Sequence, residues 1–72
     1  MNELELLKVF GFNMKVERMK QGLTQAELAE ILNVHEKHIG KIETGRQNVT
    51  LKTLSKIANA LNIDEFLLLQ KK

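Results

Sequence analysis

Seventy-two residues, 43% apolar and 28% charged with a net charge of +2, suffice for one small domain whose core covers only part of its surface. The absence of Cys excludes disulfides and thiolate metal sites, and no apolar run approaches the roughly 20 residues of a membrane span, nor does a secretory leader open the chain, so a cytoplasmic protein is expected. The charge is uneven: residues 1–36 carry four Lys/Arg against six Asp/Glu, a balance of −2, and residues 37–72 carry seven against three, a balance of +4, which suits an oriented approach to a polyanion.

Strand-like alternation is missing, as are Pro, repeats and low-complexity tracts, which predicts an all-α fold in one unit spanning 1–72. A first helix is expected over about 3–20, with Leu6, Leu7, Phe10, Met14 and Met19 as its apolar stripe and Gly22 as its stop. Thr24, with Glu27 three residues on, forms a capping-box pattern opening a second helix over 25–31, and Asn33 tolerates the left-handed conformation that ends it. A third helix is expected over 36–43, with His35 a mediocre cap and Gly45 closing it. After a loop at 46–49, Thr50 caps a fourth helix over 51–61, on which Leu51, Leu54, Ile57, Ala58 and Leu61 make a stripe. A short fifth helix over 63–69 completes a compact five-helix arrangement.

The second and third helices are too short and too closely joined to stack as a hairpin, so they cross steeply, with Ala29 small where they meet. Ile39 and Ile42 face inward, and the helical period then turns 36, 37, 40, 41 and 44 outward as a ridge. Gly40 within that ridge costs about 0.5–1 kcal/mol relative to Ala, which fits a backbone lying very close to a bound polyanion or a neutral position. Phe66, Leu67, Leu68 and Leu69 surround the last helix with more apolar surface than one short helix hides, the mark of an association face unless the N-terminal segment covers it. His35 and His38 have metal-ligand spacing but lack further ligands beyond carboxylates such as Glu36, so no metal or other cofactor is expected. An enzyme is not expected either: there is no nucleophile–base set and little volume for a pocket.

With those residues assembled, the chain resembles the lambda-repressor-like (Cro-type) helix-turn-helix family, also called the xenobiotic-response-element family, over roughly residues 10–69. The markers are Arg18, Gly22-Leu23-Thr24-Gln25, Glu27-Leu28-Ala29, Ile39, Lys41-Ile42-Glu43, Gly45-Arg46 and Leu54 through Leu61. Asn33 and His35 depart from the Gly and the Ser or Thr common in the family, which bears on the cap of the third helix.

The resemblance implies a sequence-specific transcriptional regulator that binds double-stranded DNA, usually as a homodimer on a two-fold symmetric operator. By the same resemblance Gln25 grips a phosphate, Glu36, Lys37 and Lys41 read bases, and Arg18 and Glu43 form an internal ion pair. His35, His38, Thr44, Arg46, Gln47 and Asn48 would contact the DNA backbone. Lys suits guanine O6 and N7 and Glu accepts from cytosine N4, so a G·C-containing half-site is expected. The layout looks most like the small controller proteins of restriction–modification systems, with phage and plasmid repressors similar. The competing reading is an antitoxin-like protein-interaction module that binds DNA for autoregulation.

Overall fold

The computed structural model describes residues 1–71 and is helical, with no strand among them. Four α-helices follow in order, α1 (Glu3–Lys20), α2 (Gln25–Leu32), α3 (Glu36–Glu43) and α4 (Leu51–Leu61), and a 3₁₀ helix (Glu65–Leu69) ends the described fold.

Local chemistry accounts for the boundaries. Asn2, Thr24 and Thr50 each sit in extended backbone and accept a main-chain N–H three residues ahead, from Glu5, Glu27 and Thr53. Thr24 and Glu27 make the reciprocal capping box: the Glu27 amide donates to Thr24 Oγ1 at 3.0 Å, and the Thr24 amide to Glu27 Oε1 at 2.8 Å. The hydrogen bond from the Thr24 backbone amide, with a contribution from its side chain, holds the exposed Glu27 carboxyl below the usual carboxylate range. Asn33 and Asn62 close α2 and α4 in the left-handed region, at φ 57° and 56°.

The core gathers one face from each helix: Phe10 and Met14 of α1, Leu28 and Ala29 of α2, Ile39 and Ile42 of α3, and Leu54, Ile57, Ala58 and Leu61 of α4, with Leu68 beneath them. The α1 stripe differs from the one expected. Phe10 and Met14 are buried, but Leu6 and Met19 are exposed, and the next turn inward carries Glu17 and Arg18 instead. In the N-terminal turns of α1, Glu3, Leu6 and Leu7 border a cavity shared with Val49, Leu51 and Leu54, and its last turn meets a polar junction.

Two further expectations are corrected. The second helix runs one residue longer than expected, to Leu32, directly up to the left-handed cap that Asn33 was expected to supply. The fifth element is a five-residue 3₁₀ helix starting at Glu65, not an α-helix from residue 63. Asp64 caps it through the Phe66 amide at 2.8 Å, and the buried Asn13 side chain of α1 donates to the carbonyls of Leu68 at 3.0 Å and Gln70 at 2.8 Å. Those carbonyls take their donor from another helix, so the segment needs no further turn of its own. The same packing revises the association face. Leu68 is fully buried in the monomer, covered by α1 and α4; Leu67 and Leu69 are half-buried; Phe66 alone stands out, 73% exposed.

Candidate nucleic-acid interface

The site begins at the joint between α1 and α3. A Cβ built on Gly11 would fall 2.2 Å from the Ile42 carbonyl oxygen and 2.7 Å from that of Glu43, so α1 touches the main chain of α3 directly. About two turns further along α1, Arg18 grips the same end of α3. Its Nε donates to Glu43 Oε2 at 2.7 Å and its Nη2 to Oε1 at 3.1 Å, while Nη1 donates to the Leu23 carbonyl at 2.7 Å. Both side chains are buried, and the planar fork makes the pair bidentate, so the carboxylate is fixed in direction as well as position. Glu43 Oε1 also accepts from Gln25 Nε2 at 3.0 Å. A carboxylate can only accept, so the Gln25 amide is oriented with its nitrogen toward Glu43.

This anchoring leaves the opposite face of α3 in solvent. Glu36, Lys37, His38 and Lys41 are exposed, and none of their side chains has a hydrogen bond or ion pair with another described residue. Gln25, His35, Glu36, Lys37, Gly40, Lys41 and Arg46 border one open depression of about 560 Å³. Its floor is the α3 backbone at Gly40. His35 caps α3 through Nδ1, which accepts the Lys37 amide at 3.2 Å, so its ring is held at the rim. Thr44 ends the helix by donating to the Gly40 carbonyl at 2.9 Å, and its oxygen accepts from Arg46 Nε at 2.9 Å. Arg46 is thereby aimed by the helix end.

The structure does not gather every candidate there. His38, Gln47 and Asn48 border a separate cavity of about 370 Å³ between α3 and α4, floored by Ile39, Ile42 and Ile57. Thr44 is committed to capping, and its part at the site is to position Arg46. Three contributors escaped sequence reasoning: Gly11, Asn13 and the Gln25–Glu43 hydrogen bond. A glycine in the middle of a long helix is a readable signal for Gly11, and an Asn between core residues Phe10 and Met14 is one for Asn13. The Gln25–Glu43 bond spans 18 positions and leaves no local trace. Among the described residues no group of three His, Asp or Glu side chains is placed to hold a metal, and no helix is long and apolar enough to cross a membrane.

Comparison with known proteins adds to this geometry. The helix-turn-helix family model matches residues 14–68. The chain is 37% identical over 59 residues to the control protein C.SmaI of Serratia marcescens, covering 82% of this chain and 70% of that protein. It is 31% identical over 68 residues to a hypothetical transcription factor of Neisseria meningitidis, where it spans 94% of this chain but 64% of the relative's length. The crystal structure of a Neisseria transcription factor, NHTF, superposes with a TM-score of 0.87 over 97% of this chain and 80% of that one, at 30% identity. The restriction–modification controller protein C.Esp1396I, solved as a tetramer with its natural 35 base-pair operator, superposes with a TM-score of 0.78 at 32% identity, over 88% of this chain and 83% of that one. The buried joint, the exposed face of α3 and these likenesses agree: the chain belongs to the helix-turn-helix family.

Proposed function

We propose that this chain is a sequence-specific, DNA-binding transcriptional regulator, acting as a cytoplasmic homodimer on a two-fold symmetric operator and not as an enzyme. The observation that carries the reading is the outer face of α3: Glu36, Lys37 and Lys41 stand together, engaged with no other described residue, on a helix whose far end is clamped in place. A rigid ridge of free donors and acceptors matches the edges of base pairs in a major groove.

The parts divide by chemistry. Glu36, Lys37 and Lys41 read bases. Gln25, held by Glu43 beside the free amides at the start of α2, takes a phosphate, since a helix N-terminus attracts anions. His35 and Arg46 flank the depression and contact the sugar–phosphate backbone, while His38, Gln47 and Asn48 touch it from the α4 side. Phe66, with the exposed parts of Leu67 and Leu69, pairs two copies so that the reading helices stand about 34–36 Å apart, one turn of DNA.

Selection of bound sites from random duplexes tests the whole reading. A palindromic consensus containing G·C pairs, with affinity falling steeply as salt rises, is the expected result. Recovery of no consensus, or salt-independent binding, rejects it. For the pairing surface, Phe66→Glu is expected to give a monomer by light scattering with the helical content retained; an intact dimer moves the interface elsewhere.

A further inference from the structure

Gly40 is unlike the other glycines of this chain. Gly11 has no room for a side chain, and Gly22 and Gly45 have φ of 72° and 73°, so each is demanded by the fold itself. Gly40 lies inside α3 with no such demand: a Cβ there would meet nothing nearer than the Gln25 amide, at 3.8 and 3.9 Å, which is ordinary contact. Glycine in the middle of an eight-residue helix weakens that helix, and nothing within the described residues requires it. The missing side chain is instead the floor of the depression bordered by Gln25, Lys37 and Lys41.

We infer that Gly40 sets how deeply α3 enters the major groove: the bare backbone is a notch into which one strand's sugar–phosphate backbone seats only when α3 is fully inserted on its selected site, so the contact depends on base reading although it touches no base. This deepens the DNA-reading function and rests on it. The placement of the notch selects the ligand part. Its nearest neighbour is the Gln25 amide at the start of α2, the proposed phosphate anchor, and Gly40 is half-buried where the base-reading positions 36, 37 and 41 around it are exposed. The Gln25 amide nitrogen has a second hydrogen beyond the one given to Glu43, so the same wall offers a donor to the seated strand. A side chain at position 40 would fill this space and hold the helix out of the groove.

The test uses the full chain and the duplex that wild type selects from random DNA, with Gly40→Ala and Gly40→Leu as variants. Gly40→Ala is expected to melt about 2–6 °C higher than wild type, because Ala favours helix, yet to bind the selected duplex about tenfold more weakly. Gly40→Leu is expected to bind more weakly still, and both should bind unrelated duplex DNA like wild type, since the loose complex does not use the notch. Wild-type affinity of the Ala variant for the selected duplex overturns the inference. So does a lowered melting temperature, which would make position 40 part of the packing, and so does an equal loss on both DNAs. A wild-type protein that prefers no duplex removes the DNA-reading function and this inference together, which is a distinguishable outcome.

Discussion

At its C-terminal end α3 is packed main chain to main chain against α1 at Gly11 and bound through a buried bidentate Arg18–Glu43 pair; along its outer face Glu36, Lys37 and Lys41 carry charges that bond to no other described residue. Two environments therefore divide one eight-residue helix. The contrast shows how a helix too short to be stable by itself becomes a rigid instrument. Fixing one end with an unyielding contact frees the other face from any structural duty, so its residues can be chosen for what lies outside.

If that division is right, substitutions at the two regions should separate stability from binding. The largest effect belongs to the ion pair. Arg18→Met strands a buried carboxylate and should cost about 3–5 kcal/mol in urea unfolding, while Arg18→Met with Glu43→Leu should recover much of the loss. A double variant no better than the single one would show that the Gln25 and Leu23 contacts, not the pair, hold the junction. Gly11→Ala comes next. Its methyl would lie 2.2 Å from a backbone oxygen that cannot move without displacing α3, so a loss of about 3 kcal/mol is expected by thermal melting. An unchanged midpoint would mean that the α1–α3 contact is soft.

On the other face the sign of the experiment reverses. Lys41→Ala should melt within about 3 °C of wild type while weakening binding to the selected duplex about tenfold or more, and much less on random DNA. An equal fall on both would make Lys41 a phosphate contact. The smallest effect is electrostatic and concerns α2. Because the folded state lowers the Glu27 pKa, its contribution is present at neutral pH and is lost as pH falls through the folded value. Stability should decline with acid below the usual carboxylate range, and Glu27→Gln should flatten that decline slightly; an unchanged acid limb would show that the capping box adds no charge-dependent stability.

Much of this division was legible from sequence, for a physical reason. Thr24, Glu27, Asn33, Thr50 and Asn62 act on backbone groups within a few positions, so the ends of α2 and α4 can be read locally. The outward positions 36, 37 and 41 follow from the helical period once Ile39 and Ile42 face inward. What escaped depends on distant partners. The inward turn of Leu68 and the 3₁₀ form of its segment follow from Asn13, 55 positions away. An apolar run declares that it will be covered, but not by which neighbour, and so the whole of 66–69 looked like a surface when only part of it is. The α1 stripe was misplaced for a related reason: Glu17 and Arg18 are buried by a polar junction that a hydrophobic pattern does not register.

The Asn13 contact has a geometric consequence for any dimer built through Phe66. Asn13 and Gly11 are two residues apart on α1, about 3 Å along its axis. The segment bearing Phe66 and the end of α3 therefore hang from nearly the same level of one stiff rod, on opposite sides of it. Such a dimer would work as a fixed gauge, with no linker to lengthen or shorten. An operator whose half-sites were moved apart by one base pair, about 3.4 Å with its accompanying rotation, would have to be matched by twisting the DNA. The tolerance for spacing would then reside in the stiffness of the central base pairs that the protein never touches.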